Sequence, residues 1–199
     1  MNPFEVNFEY VEQHFEHLQL ETAEIQAKEF YDCVFSDCSF AQAQFVNCKF
    51  IDCSFQSCDL SLIELRGSTF RNTRFENSKI IGVNWTAVTY HDYLTQSPIS
   101  FRGCVLDYGT FIGLKLHKIS FQACSLKDVE FSEADLTQAD FRKAILTNSR
   151  FRNTNLTRAD FTNASNYAID VSHNNVEKAR FSMPEAIALL HCMDIELVE

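Results

Sequence analysis

Large apolar side chains recur at every fifth position along most of this chain. A first run is Phe30, Phe35, Phe40, Phe45, Phe50, Phe55, Leu60, Leu65, Phe70, Phe75, Ile80 and Trp85. A second runs from Phe101 through Leu106, Phe111, Leu116, Phe121, Leu126, Phe131, Leu136, Phe141, Leu146, Phe151 and Leu156 to Phe161. Such a period fits neither a helix nor a plain strand. It is the signature of a solenoid, in which stacked repeats bury one continuous core.

We call each large apolar position a centre. Two residues before it lies a slot that wants a small side chain. Cys33, Cys38, Cys48, Cys53, Cys58, Cys104 and Cys124 occupy it, and elsewhere Ala43, Ser68, Thr73, Ala134, Ala139, Ala144, Ser149, Thr154 and Ala159. Reduced cysteine packs as a small hydrophobe, so these thiols read as interior filler, and they lack the CxxC pairing of common zinc sites. In Ala134-Asp135-Leu136-Thr137-Gln138 and Ala139-Asp140-Phe141-Arg142-Lys143, slot and centre point inward and the other three positions face solvent. Each pentapeptide thereby makes one short side and one corner.

This pattern resembles the pentapeptide-repeat family over roughly Tyr10 to Phe181. The resemblance implies an all-β fold, a right-handed quadrilateral parallel β-helix in which four pentapeptides form one square coil. Residues one coil apart then stack. Phe35, Phe55 and Phe75 form one ladder; Phe101, Phe121, Phe141, Phe161 and Phe181 a second; Leu106, Leu126 and Leu146 a third; Leu116, Leu136 and Leu156 a fourth. The rod is on the order of 35–40 Å long at about 4.8 Å per coil. The expected organisation is one β-helix over residues 1–181, broken near residues 86–100, then a short C-terminal capping helix and tail over residues 182–199.

The rhythm slips between Trp85 and Phe101, which lie 16 residues apart where three repeats need 15. The break, with Tyr90, His91, Asp92 and Tyr93, is expected to be a bulged coil or protruding loop, the kind of place where binding residues gather. Gly103, Gly109 and Gly113 are expected to ease the return to register. The N-terminal segment is weakly patterned and acidic, with Glu5, Glu9, Glu12, Glu16, Glu21, Glu24 and Glu29, and reads as an irregular first coil or a short cap. At the other end, Ser182-Met183-Pro184-Glu185 reads as a capping box with proline in the first helical turn. The residues that follow are too apolar for a free surface helix. One side should cover the open end of the solenoid. Met183, Ile187, Leu190 and Met193, with Ile195 and Leu197 in the alternating tail, are the expected homodimer interface.

A formal net charge of −10 and a pI near 5.0 argue against direct nucleic-acid binding. No apolar run approaches the roughly 20 residues that cross a bilayer. The first residues lack the basic and apolar stretches of a signal peptide, so the cytoplasm is the expected location. Asp32 and Asp52 should stack on one face, and Asp140 and Asp160 on another. With Asp107, Asp128 and Glu130 they are candidates for an acidic surface that imitates rows of phosphates. A duplex of the rod's length carries about 20–24 charges, so mimicry requires local acidic patches and shape rather than overall charge. Arg142, Lys143, Arg150, Arg152 and Arg158 make part of the second half basic. The six histidines are scattered, and HExxH, P-loop and GxSxG patterns are missing, so no enzyme activity, metal or cofactor is expected. Asn84-Trp85-Thr86 and Asn155-Leu156-Thr157 match a glycosylation sequon because the repeat places Asn before and Thr after a centre.

Some segments are not dictated by the five-residue rule: Gly82-Val83-Asn84-Trp85-Thr86, Asn166-Tyr167-Ala168-Ile169-Asp170, and Ala179-Arg180-Phe181-Ser182-Met183-Pro184-Glu185-Ala186 with the Asp194-Ile195-Glu196-Leu197 tail. These resemble the topoisomerase-protecting branch of the family, which includes Qnr-type quinolone-resistance proteins and the albicidin-resistance immunity protein, and the latter more closely. The resemblance implies a rod-shaped homodimer joined through its C-terminal ends. It would bind DNA gyrase, as members of that branch do, and sometimes topoisomerase IV, on the basic surface that holds DNA, and protect the enzyme from poisons. The alternative is a repeat scaffold for some other protein, without a topoisomerase role.

Overall fold

A parallel strand pairs with the next copy of itself only if each coil returns the chain in register, and twenty residues do this here. In the computed structural model, which describes residues 3–90 and 97–193, the chain winds as a parallel β-solenoid of about eight turns. Strands Glu9–Val11, Glu29–Tyr31, Lys49–Ile51 and Thr69–Arg71 form one parallel sheet. His14–Glu16, Val34–Ser36, Ser54–Gln56, Thr73–Glu76, Ile99–Arg102 and Phe121–Gln122 form a longer one, with Phe35 opposite Phe55 and Phe55 opposite Phe75. Single bridges such as Asp140 to Asp160 carry the same spacing to the far end.

The two phenylalanine ladders expected from the sequence are one column. Phe15, Phe35, Phe55, Phe75, Phe101, Phe121, Phe141, Phe161 and Phe181 stack with ring centroids 4.5–5.6 Å apart and planes within 21°. Rings in neighbouring columns meet edge to face, as Phe121 meets Phe131 at 5.5 Å. The column crosses the break because Phe75 pairs with Phe101 across 26 residues, and Trp85 stacks on Phe111 across the same step. The break is therefore a six-residue insertion between coils that stay in register. Tyr90, expected in the loop, is placed as an ordinary centre one coil above Phe70 and packs against the core, with Thr89 N–H bonded to Ser68 O at 2.9 Å. His91, Asp92 and Tyr93 lie outside the described residues. The glycines past the break hold regular repeat positions: Gly103 and Gly113 are corners at φ +63° and +67°, and Gly109 is a slot.

Corners fall two residues after each centre and are left-handed. Among the described residues, twenty-six other than glycine have positive φ, nearly all at this position. The square turn demands that backbone, and Asn and Asp tolerate it best.

The slots do more than stay small. Where a corner does not close its own turn, the slot side chain one coil on donates to the centre carbonyl. Cys33 Sγ reaches Tyr10 O at 3.4 Å, Cys53 Sγ reaches Phe30 O at 3.4 Å, Ser68 Oγ reaches Phe45 O at 2.8 Å and Thr73 Oγ1 reaches Phe50 O at 3.0 Å. Ser68 Oγ also accepts from Cys48 N–H at 3.0 Å, so one hydroxyl serves both open backbone groups. Where a corner closes its own turn, as Ala139 N–H does onto Leu136 O at 2.9 Å, the slot above is in most cases apolar, here Ala159. The rule is the burial rule for backbone polar groups, applied corner by corner.

Each end is covered, the first by a short N-terminal plug and the last by the short C-terminal helix. Phe4 plugs the first coil, 1% exposed, with its ring 5.2–6.4 Å from Tyr10, Phe15, Phe30 and Phe35. Tyr10 OH donates to Pro3 O at 2.9 Å and Lys28 Nζ to Asn7 O at 2.7 Å, which pin the plug. At the other end the expected capping box does not form. Ser182 Oγ accepts from Asn163 N–H and Glu185 Oε1 from Asn166 N–H, both at 2.8 Å. The last coil has no coil above it, so its N–H groups take these side chains, and the helix starts only at Ile187, running to His191. Ala188 and Leu189 pack on the core.

Candidate interaction surface

Six of the seven acidic residues singled out from sequence fall into two structural kinds. Asp32, Asp52 and Asp128 are exposed left-handed corners. Asp52 takes Arg71 Nη2 at 3.4 Å and Asn72 Nδ2 at 2.8 Å, and Asp128 takes Asn148 Nδ2 at 3.2 Å. Glu130, Asp140 and Asp160 precede a centre and are half-buried. Each accepts the backbone N–H two residues on, from Ser132, Arg142 and Thr162. These are Asx-type turns (with Glu130 in the same role), which explain the Asp-x-Thr and Asn-x-Thr spacing of the repeat, Asn84-Trp85-Thr86 included. Asp107 reaches up one coil to Ser125 Oγ at 2.7 Å and Lys127 N–H at 2.9 Å.

The turn-closing carboxylates are also neutralised. Arg142 Nη2 lies 2.6 Å from Asp140, Arg180 Nη1 3.2 Å from Asp160 and Arg150 Nη1 3.7 Å from Glu130. Burial pushes the Asp140 carboxyl up, but its hydrogen bonds to Arg142 outweigh that and leave it below the ordinary carboxylate range.

The free acidity lies elsewhere. Residues 1–65 hold twelve carboxylates against Lys28 and Lys49, whereas residues 66–199 hold fifteen groups of each sign. The whole net charge of −10 thus sits at the N-terminal end. Glu9, Glu12, Glu16, Glu21, Asp32 and Asp37 there are all exposed. A count of charges by thirds of the sequence, rather than over the whole chain, carries this signal.

The chemistry of the remaining groups is structural. All eight cysteines are free, and seven are buried. Hydrogen bonding to the thiol one coil below, and then burial, push Cys53, Cys58 and Cys124 up, which keeps them protonated. Among the described residues no cluster of His, Cys, Asp and Glu could hold a metal ion, and no helix is long and apolar enough to cross a membrane. Ser172, His173 and Asp170 touch, but His173 Nδ1 faces both Asp170 Oδ2 (2.6 Å) and Ser172 Oγ (3.0 Å), and the serine hydroxyl donates to Asp170 Oδ1 at 2.6 Å. The serine proton is directed to the carboxylate, so this is a turn and not a nucleophile–base pair.

At the C-terminal end, Met183, Leu190 and Met193 are exposed and Ile187 is half-buried. Ile195 and Leu197 lie outside the described residues. At the N-terminal end, which Phe4 seals, Val6, Phe8 and Val11 are exposed.

Comparison with known proteins places these features in context. A family model described as a pentapeptide repeat region matches residues 10–85 and 28–111, and a model of eight pentapeptide repeats matches residues 124–164. Among solved structures, QnrB1, a plasmid-mediated fluoroquinolone resistance protein, is similar in two trypsin-treated variant forms. One has a TM-score of 0.65 at 19% identity, covering 96% of this chain and 92% of the other. The second has a TM-score of 0.67 at 15% identity, covering 96% and 98%. HetL, a pentapeptide repeat protein involved in heterocyst differentiation regulation from the cyanobacterium Nostoc sp. strain PCC 7120, has a TM-score of 0.58 at 15% identity, covering 87% and 86%. No curated protein sequence matches significantly.

Proposed function

The chain belongs to the pentapeptide-repeat family, and from that premise we propose that it is a DNA-mimicking protein that binds DNA gyrase and protects it from topoisomerase poisons. It acts in the cytoplasm, by binding rather than catalysis. The fold shared with a fluoroquinolone resistance protein supports this reading.

The observation that carries it is the N-terminal concentration of charge. Residues 5–64 wind through three coils, roughly 14 Å of rod at about 4.8 Å per coil. A duplex of that length carries about eight charges, and this segment carries a net −10. The first coils thus match duplex charge density, which the whole rod does not. Asp32 and Asp52 belong to this surface. Asp107, Glu130, Asp140 and Asp160 serve turns and inter-coil bonds and contribute less.

Two copies join through their C-terminal ends, where Met183, Leu190 and Met193 stand exposed. That puts the two acidic ends outermost. Leu190→Arg probes this interface better than Ile187→Arg, since Ile187 is half-buried. Sedimentation should show monomers for Leu190→Arg, and dimers would count against the interface.

The experiment for the function is a gyrase supercoiling and cleavage assay with a poison. Added protein should restore supercoiling, and Asp32→Asn with Asp52→Asn should weaken the effect. No rescue at any concentration would favour the second reading, a scaffold for another protein, which the fold of HetL also accommodates.

A further inference from the structure

The charged corners are not scattered. The face that carries the Phe15–Phe181 column is bordered by two rows of left-handed corners. In the N-terminal half the charged members of these rows are Glu12, Asp32, Asp37 and Asp52. In the C-terminal half they are Lys118, Lys143, Arg158 and Lys178, at φ +57° to +61°. The other two rows hold no cation among the described residues; their charged members are Asp128 and Glu133. The sign reverses across the coil that contains the six-residue insertion.

The fold does not ask for these cations. A left-handed corner favours Asn, Asp or Gly, and a long unbranched side chain gains nothing from that backbone. Lys118, Lys143 and Arg158 are exposed, and none has an ion-pair partner among the described residues, unlike Arg142 and Arg180 nearby. Four cations sit at costly positions, on one face, unpaired or, for Lys178, paired only with its exposed neighbour Glu177.

We infer that this face meets its partner in two halves of opposite sign: the acidic corners on a cationic surface, and Lys118, Lys143 and Arg158 on an anionic patch of the same protein partner. The inference rests on the gyrase-binding reading and departs from a uniform duplex mimic, for which these cations would be a hindrance. A duplex is the poorer fit to the cationic row, because the acidic corners Glu12, Asp32, Asp37 and Asp52 continue the same face and would oppose an unbroken row of phosphates. An anionic protein surface can be discontinuous.

The test is a triple variant, Lys118→Asn, Lys143→Asn and Arg158→Asn. Asparagine suits the left-handed corner, so the thermal midpoint should hold or rise, which separates binding from folding. Binding to intact gyrase at physiological salt should weaken about tenfold. Unchanged or tighter binding overturns the inference, and tighter binding is what a uniform acidic mimic predicts. Loss of binding to linear duplex DNA with gyrase binding intact would also overturn it and assign the row to nucleic acid. If the unsubstituted protein does not bind gyrase, both this inference and the proposed function fall.

Discussion

The two halves of this solenoid obey one five-residue rule and satisfy their corners in different ways. Up to Phe75, most corners do not close their own turn, and a cysteine, serine or threonine from the next coil donates to the centre carbonyl. From Phe111 on, most corners close their own turn, as Leu114 N–H onto Phe111 O and Ala144 N–H onto Phe141 O, and alanine fills most of the slots above. The N-terminal half consequently shows three-residue strands, and the C-terminal half isolated bridges between turns. The lesson is that slot chemistry follows the turn one coil below: a donor side chain accompanies most corners that do not close their own turn, and an apolar one most that do.

The largest test strikes the joint between the halves. Phe75 stacks on Phe101 at 5.2 Å across the insertion. Phe75→Ala should cost about 3–5 kcal/mol. Because contacts in a solenoid are between neighbours, it should also split chemical denaturation into two transitions. A single cooperative transition, with an unchanged slope, would mean that the halves are not separable units.

A matched pair sharpens the slot rule. Ser68 and Thr154 are both buried in slots, at 0% and 1% exposure. Ser68 Oγ donates to Phe45 O, where the corner does not close its own turn, and accepts from Cys48 N–H, whereas Thr154 Oγ1 donates to Phe131 O, which already accepts from Ala134 N–H at 3.1 Å. Ser68→Ala should therefore destabilise more than Thr154→Ala, by about 1–2 kcal/mol. Equal losses in urea titrations would reduce the rule to a matter of volume.

The smallest expected effect is local and confined to the C-terminal half. The Ser172 hydroxyl, then His173, hold the Asp170 carboxyl at about 2. A carboxyl lowered in the folded state stabilises it above the unfolded value of about 4, and that contribution is lost as pH falls toward 2. Amide protection factors near His173, corrected for the intrinsic pH dependence of exchange, should fall over this window, and Asp170→Asn should make them independent of pH. Protection that is flat with pH in the unsubstituted protein would show that the turn does not depend on this charge.

Much of this was legible in the sequence. The centres and the interior cysteines follow from spacing and size, and the coil length and vertical ladders from the resemblance to the pentapeptide-repeat family. Tyr90 was legible too, since it lies one coil after Phe70, although its polar neighbours made it read as loop. Phe4 was not, because it is out of phase and acts only by plugging the first coil. Nor was the service of Ser182 and Glu185 to Asn163 and Asn166, since the same two residues also spell a helix cap. The acidic carboxylates were legible as a set but not as two kinds, one closing turns and one free.

The sequence by itself determined a five-residue rhythm of large and small inward residues, and hence a solenoid, because inward volume must recur at fixed intervals for stacked coils to exclude water. Only the tertiary structure decided which corners close their own turn, which carboxylates are already paired and where the charged corners change sign along one face. Those depend on what each residue meets one coil away, a neighbour that lies about twenty or more positions distant along the chain.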